Sequence, residues 1–217
     1  SPNNPSGSIY TRATLRQVAA IAKKHKMLII SDEIYEKLVF GEPPFLSIVT
    51  VAPECIEQTV VVNGISKAYA MTGWRIGWMI VPTDLVPTIE RLAQNLFVSP
   101  AALPQRAALT ALDCRKELDS YVEVYAKNRQ FLLERLPAAG FNKITPADGA
   151  FYLYADVSDL TDDSKQFCKR MLNEVGVAST PGIDFDQRRG HQYVRFSFAG
   201  SEQTVTEAAE RLVNWRR

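Results

Sequence analysis

The first half of the chain alternates short apolar runs with amphipathic stretches. Apolar residues recur at helical spacing from Thr11 to about His25, which predicts a helix there. The runs MLIISD, TVVVNG and RIGWMIV predict three buried strands, and a further helix is expected from Pro82 to about Phe97. Strands of this kind between helices are typical of an α/β sheet that is covered on both faces. The proline-containing segment at residues 41–54 is expected to be a loop.

The second half changes character after the segment SPAALPQ at residues 99–105. The pattern is mostly helical from Gln105 to about Leu136. GAFYLYADV and YVRFSFA then predict strands, DDSKQFCKRMLNEVG predicts a helix that a glycine ends, and SEQTVTEAAERLVNW predicts a closing helix with a serine N-cap. We therefore expect two domains: part of an α/β large domain over residues 1–104 and a small α+β domain over residues 105–217.

Charge and composition exclude several classes of protein. The net charge is +1, whereas proteins that bind nucleic acids or anionic membranes usually carry a clear basic excess. The three cysteines are far apart and form no CxxC pair, and the two histidines are separated, so no metal-ligand pattern is present. No apolar run reaches the roughly 18 residues that a membrane span needs. We expect a cytoplasmic protein with no nucleic-acid, membrane or metal partner.

Three polar residues fall at the ends of predicted strands. Asp32 ends the first strand, Tyr35 follows one turn later, and Lys67 lies just past the second strand. Ligands of open α/β sheets bind beyond the carboxyl ends of the strands. Taken alone, Asp32 fits a turn or helix cap and Lys67 fits a solvated surface lysine. Their convergence on one edge of the sheet favours a binding site.

Lys67 and Arg75 suggest what that site would bind. Burial beside an apolar sheet edge depresses the pKa of a lysine and frees its amine to react with carbonyl groups. A guanidinium grips phosphate with two hydrogen bonds, and Gly73 and Gly77 on either side of Arg75 would let the backbone approach a ligand closely. An amine, a carboxylate, a phenol and a phosphate ligand together fit pyridoxal phosphate.

Five segments resemble a known family. SKAYAMTGWRIGW is similar to the cofactor-lysine segment of class I/II aminotransferases, which are fold-type-I pyridoxal-phosphate-dependent enzymes. NNPSG, SDEIY, GAFYLYADV and VASTPGIDF…YVRFSFA are similar to four other segments of this family, in the same order, and together the five cover nearly the whole chain. The resemblance implies a truncated fold-type-I large domain of about three strands, without its N-terminal half, followed by the small C-terminal domain.

The resemblance also implies roles in cofactor binding. Lys67 would carry the cofactor covalently and move the proton at the substrate Cα. Asp32 would pair with the protonated pyridine nitrogen, and Tyr35 and Asn4 would hydrogen-bond the phenolic oxygen. Arg75 would bind the phosphate.

Arg195, in YVRFSFA, would bind the substrate α-carboxylate as a fork. The chain departs from the family at Gly64, where a phosphate-binding hydroxyl often stands three residues before the lysine; Ser66 is adjacent to Lys67. The family's other phosphate loop and the aromatic residue that stacks on the cofactor lie in the absent half. We therefore expect the chain alone to bind the cofactor weakly and to be inactive.

The function implied by the resemblance is exchange of an amino group between an amino acid and a 2-oxo acid by a homodimer. Two alternatives stay open. One is a pyridoxal-phosphate-dependent lyase or synthase of the same fold type. The other is the effector-sensing domain of an aminotransferase-like transcriptional regulator. The segment MTGWRIGW favours the free enzyme. The sequence does not indicate which amino acid is the substrate.

Overall fold

The computed structural model of the chain describes residues 1–41 and 44–215. Its helices and strands are, in chain order, α1 (Arg12–His25), β1 (Ile29–Asp32), α2 (Ile48–Val51), β2 (Thr59–Gly64), β3 (Gly77–Ile80), α3 (Val86–Phe97), α4 (Ala102–Ala111), α5 (Arg115–Arg135), β4 (Lys143–Ile144), β5 (Tyr152–Asp156), α6 (Ser164–Val175), β6 (Thr180–Pro181), β7 (Tyr193–Ser197) and α7 (Glu202–Val213). Within the part of the chain that is described, no helix is both long and apolar enough to cross a membrane.

Internal contacts divide the chain into two units. The first consists of Ser1–Pro2 and Ile9–Asp119, and the second of Asn3–Ser8 together with the chain from Ser120 onward. This boundary lies inside α5 rather than near residue 104, where the sequence places it. The predicted boundary rests on the prolines at residues 100 and 104, which interrupt the sequence pattern. A continuous helical pattern does not show which unit each part of a helix packs in.

The first unit contains a three-stranded sheet in the order β1-β2-β3. β1 and β2 are parallel, whereas β2 and β3 are antiparallel. Helix α1 is capped at its N-terminus by Thr11, whose side chain accepts a hydrogen bond from the backbone N–H of Thr14. Its C-terminal cap is Lys26, which has the left-handed conformation. Its buried residues Leu15 and Ala19 pack with Ile29 of β1, which fixes the helix on one face of the sheet.

Part of the opposite face of this sheet is exposed, contrary to the prediction that both faces are covered. Ile30, which follows Ile29 and points the other way along the strand, is 69% exposed. Met79 of β3, which pairs with Val62 and lies on the same face as Ile30, is also exposed. The continuous apolar pattern of the strands is typical of a sheet with two covering layers. The described residues supply only one of these layers in full.

The prediction of a loop over residues 41–54 is wrong in its later part. Ile48–Val51 form the short helix α2, and a 3₁₀-helix follows at Pro53–Gln58. Ile48 and Val51 lie on one side of α2 and pack against Leu15. Glu42 and Pro43 lie outside the described residues.

The second unit contains a four-stranded antiparallel sheet in the order β4-β5-β7-β6. Its two central strands, β5 and β7, confirm the predicted strands. Strands β4 and β6 have two residues each, too few for an alternating pattern, and the sequence did not indicate them. The core on one side of the sheet includes Phe141, whose ring meets the rings of Phe167 and Phe196 edge to face.

The turn at Asn3–Ser8 packs in this second unit. The backbone N–H of Gly149 donates to the carbonyl of Gly7 at 2.8 Å, and the hydroxyl of Thr145 donates to the carbonyl of Ser6 at 2.7 Å. The sequence places this turn with residues 1–104. Neither partner is close in sequence, so no local pattern could show the pairing.

Candidate active site

The polar residues predicted at the strand ends of the first unit fall at one edge of its sheet. Asp32 is the last residue of β1, and Lys67 follows shortly after the end of β2. Because β1 and β2 are parallel, their carboxyl ends share this edge. The antiparallel β3 starts there, with Gly77 paired to Gly64, so Arg75 just before it belongs to the same edge.

Asp32 is exposed at the end of β1 and takes part in a turn. One of its carboxylate oxygens, Oδ1, accepts a hydrogen bond from the backbone N–H of Ile34 at 3.1 Å. This hydrogen bond is the kind of turn-capping contact that the sequence offers as one interpretation of Asp32. Tyr35 is buried, with 5% of its surface exposed, so the two side chains have very different access to solvent.

Glu33, beside Asp32, anchors the strand end and was missed by the sequence analysis. It is 4% exposed, and its Oε1 accepts hydrogen bonds from the hydroxyls of Ser31 at 3.0 Å and Ser47 at 2.8 Å. Its backbone N–H donates to the carbonyl of Val62, which extends the pairing of β1 with β2. Strand alternation indicates that Glu33 and Asp32 point to opposite sides, but it does not show which side is covered.

Lys67 is half-buried in a tight turn after β2. The backbone N–H of Tyr69 donates to the carbonyl of Ile65, and that of Ala70 donates to the carbonyl of Lys67, both at 3.3 Å. The turn holds the lysine backbone at the end of the strand and leaves the long side chain to extend from it.

Arg75 has an unusual backbone conformation. Its φ of 55° lies in the left-handed region, which costs an L-residue other than glycine about 1–2 kcal/mol. The exposed side chain donates from Nη1 to the carbonyl of Thr72 at 2.8 Å. Backbone strain of this kind concentrates at functional sites, which supports a binding role for this turn.

Gly64 has no room for a side chain. A Cβ at this position would lie 2.9 Å from the carbonyl oxygen of Ile76 and 3.0 Å from Cα of Gly77. The close pairing of β2 with β3 therefore excludes the hydroxyl-bearing residue that the family often has here. Any phosphate in this turn would depend on other donors, Arg75 among them.

Arg195 and Asn4 meet directly in the second unit. Nη1 of Arg195 donates to Oδ1 of Asn4 at 2.7 Å, and Nη2 donates to the hydroxyl of Thr180 at 3.1 Å. The Nε of Arg195 is buried and has no partner among the described residues. Only neutral oxygens thus accept from this guanidinium, and a buried donor without a partner is rare away from functional sites. The charge of this guanidinium is therefore not neutralised by a carboxylate among the described residues.

Aromatic side chains line the same face of the second sheet. The rings of Tyr154 and Tyr193 stack with centroids 4.8 Å apart, and Phe185 meets Tyr154 edge to face. Burial, with a smaller contribution from the charge of Asp186, raises the pKa of Tyr154 to about 12. Tyr154 is therefore a neutral hydrogen-bonding group at physiological pH. The sequence analysis overlooked this face, although the alternation of polar and apolar residues along β5 and β7 could have revealed it.

The residues present fit pyridoxal phosphate by their chemistry. The first unit supplies a primary amine, a carboxylate, a phenol and a guanidinium from Lys67, Asp32, Tyr35 and Arg75, which match the aldehyde, ring nitrogen, phenolic oxygen and phosphate of that molecule. In the second unit Oδ1 of Asn4 accepts a hydrogen bond from Arg195.

Comparison with known proteins gives a consistent result. The sequence model of the family "Aminotransferase class I and II" matches residues 1–212. The valine–pyruvate aminotransferase of Mycobacterium tuberculosis is 43% identical over 99% of this chain and 55% of its own length. The aspartate/prephenate aminotransferase of Thermus thermophilus is 40% identical over 98% of this chain and 54% of its own length.

Solved structures agree with the sequence matches. An aminotransferase from Mycobacterium tuberculosis superposes with a TM-score of 0.92 at 43% identity, over 99% of this chain and 55% of that one. The aspartate aminotransferase of Thermotoga maritima gives a TM-score of 0.88 at 36% identity, over 99% of this chain and 54% of that one. The chain spans about half the length of these relatives and has the α/β fold of the matching part. It belongs to the class I and II aminotransferase family.

Proposed function

We propose that this chain is the C-terminal part of a pyridoxal-phosphate-dependent aminotransferase that exchanges an amino group between an amino acid and a 2-oxo acid. The observation that carries the proposal is the common sheet edge of Asp32, Lys67 and Arg75. The family match over residues 1–212 supports the same conclusion. When bound, the cofactor supplies an electron sink for the carbanion that forms at the substrate Cα.

The residues that hold the cofactor ring act through charge and hydrogen bonds. The Asp32 carboxylate would accept from the protonated ring nitrogen and would keep the ring electron-poor. The family resemblance implies that Tyr35 and Asn4 would hydrogen-bond the phenolic oxygen. Within the second unit, Oδ1 of Asn4 accepts from Arg195, so its Nδ2 stays available as a donor.

The remaining residues act on the phosphate and the substrate. The Arg75 guanidinium would bind the phosphate with two hydrogen bonds. The Lys67 amine would hold the cofactor and would move the proton at the substrate Cα. Arg195 binds the α-carboxylate, a group that all amino-acid and 2-oxo-acid substrates share.

The substrate pair stays at this general level. The relatives are named for valine with pyruvate and for aspartate or prephenate, and their substrates differ in the side chain. Arg195 does not distinguish among them, because it binds only the common carboxylate. We further propose that the whole protein is a cytoplasmic homodimer, as the family resemblance implies.

A test of the proposal starts from Lys67. The whole protein with cofactor should show a visible absorbance band that borohydride removes, and peptide mapping should find the pyridoxyl group on Lys67. Lys67→Ala should abolish the band and transamination, whereas Lys24→Ala, an exposed change near the end of α1, should leave both intact. Labelling of Lys23 or Lys24 in place of Lys67 would contradict the assignment.

Product analysis separates this function from the alternatives. A lyase or synthase would consume the amino acid without forming an amino acid from added 2-oxo acid. A regulator would bind cofactor and effector without turnover. For the 217-residue chain alone we expect weak cofactor binding and negligible transamination, because a misplacement of about 1 Å can cost ~10²-fold in rate. Stoichiometric binding with sustained turnover by this chain would overturn that expectation.

A further inference from the structure

Aromatic rings, rather than carboxylates, surround Arg195. Its guanidinium carbon lies 4.1 Å from the centroid of the Tyr152 ring and 4.7 Å from that of the Phe185 ring. Within the described part of the chain no carboxylate forms an ion pair with Arg195. The oxygens of Asn4 and Thr180 that accept its hydrogen bonds are neutral.

Rings and carboxylates hold a guanidinium in different ways. An aspartate or glutamate would neutralise the charge of Arg195 and occupy its paired N–H groups. A ring face attracts the cation through its quadrupole and uses none of the N–H groups. Aromatic neighbours therefore restrict the guanidinium plane while its charge and its remaining Nη N–H groups stay available for an anion.

The register of the second sheet places Tyr152 beside Arg195. Tyr154 of β5 pairs with Arg195 of β7, and Tyr152 pairs with Ser197. Paired residues share a face of a sheet, as do residues two apart on one strand, so Tyr152 and Arg195 lie on the same face. Leu153, between the two tyrosines, is fully buried on the other face and locks the strand in this register.

A closely packed loop places Phe185. The 3₁₀-helix at Gly182–Asp184 lies so near to Gly190 that a Cβ on Gly182 would be 2.6 Å from the carbonyl oxygen of Gly190. The buried hydroxyl of Ser164 donates to that same oxygen at 2.8 Å. The backbone N–H of Phe185 donates to the carbonyl of Gly182. The backbone that carries the Phe185 ring is thus held in place by close packing and hydrogen bonds.

We propose that Tyr152 and Phe185 are positioning residues for the substrate carboxylate. They hold the Arg195 guanidinium in the plane in which its remaining Nη N–H groups meet that carboxylate. The inference rests on the proposed function, since the carboxylate is that of an amino acid or a 2-oxo acid. Loss of either ring weakens carboxylate binding and leaves the proton transfer at Cα largely unchanged.

Kinetics of the whole protein test the two rings against matched controls. Tyr152→Leu and Phe185→Leu should each raise the KM for an amino acid about fivefold, with kcat changed by less than about twofold. Tyr152→Phe and Phe185→Tyr keep a ring and should behave like the unsubstituted protein. A primary amine with the same side chain but no carboxylate should react equally slowly in all five proteins. Equal losses for the amino acid and the amine in the leucine variants would overturn the proposal.

A binding measurement separates this inference from the proposed function. The Nε–Hε resonance of Arg195 is followed by NMR in the cofactor-free whole protein during titration with propionate. The leucine variants should need about fivefold more propionate than the ring-retaining variants, if the rings act through the guanidinium. This difference in a protein without transaminase activity would refute the proposed function alone. Identical titrations in an active transaminase would refute the positioning role alone.

Discussion

The two units of the chain differ in how far they bury their apolar residues. In the second unit Phe141, Leu153 and Phe198 are fully buried. In the first unit Leu96 is 75% exposed and Val98 is 81% exposed, and the sheet shows apolar residues to solvent. Contiguous exposed apolar surface on a soluble protein usually marks an interface. The second unit thus buries its apolar residues as an independent domain does. The first unit has apolar residues typical of a core, but leaves several of them exposed.

The largest expected effect comes from emptying the core of the second unit. Phe141→Ala should lower the free energy of unfolding of the 217-residue chain by about 3–5 kcal/mol, because a buried ring leaves a cavity. Leu96→Ala, on the exposed side of α3, should change it by less than about 0.5 kcal/mol. Urea denaturation followed by circular dichroism measures both. Similar costs for the two substitutions would show that the units are equally well packed.

The exposed face of the first sheet should make the chain associate in solution. We expect light scattering to show oligomers whose fraction rises with concentration, since exposed apolar faces and sheet edges pair readily. Ile30→Lys with Met79→Lys should lower the associated fraction by placing charge on this face. Leu172→Lys, at a residue in the second unit that is 51% exposed, serves as the control and should not. A monomeric unsubstituted chain at all concentrations would contradict the prediction.

The smallest expected effect is an acid sensitivity of the second unit. Glu174 accepts hydrogen bonds from Arg170 and from the indole N–H of Trp215, and these contacts lower its pKa in the folded state. Their contribution to stability is complete above the ordinary pKa of the carboxyl group and is lost as the pH falls through the lowered value. Glu174→Gln should flatten this acid limb. Trp215 fluorescence during thermal unfolding reports it in a chain with Trp74→Phe and Trp78→Phe; an unchanged limb would exclude Glu174 as its source.

Long periodic segments of this fold were predictable, and short or distant ones were not. Helices α1, α6 and α7 repeat their apolar positions over three turns or more, and the structure confirms each of them. Strands β4 and β6 and helix α2 are too short to establish a period. The exposed face of the first sheet was not predicted either. An apolar strand indicates that both of its faces are buried in the folded protein, but it does not show whether residues of this chain bury them.

The candidate site divides in the same way. Strand ends placed Asp32 and Lys67 at one sheet edge, which needs only the order of elements and the parallel pairing of β1 with β2. The contacts of Arg195 with Thr180 and Phe185 depend on strand register and on the packing of a loop, neither of which a local pattern encodes. The roles of these residues in catalysis stay predictions.

The turn at Asn3–Ser8 has a consequence for the order in which the chain acquires its structure. The hydrogen bond from Thr145 to Ser6 spans 139 positions. On the ribosome, at about 5–20 residues per second, this turn would wait for many seconds before its partners in the second unit emerge. Closing so long a loop also carries a large entropic cost that only late contacts repay. We therefore expect the amide of Asn4 to reach Arg195 late in folding, after β7 has been synthesised.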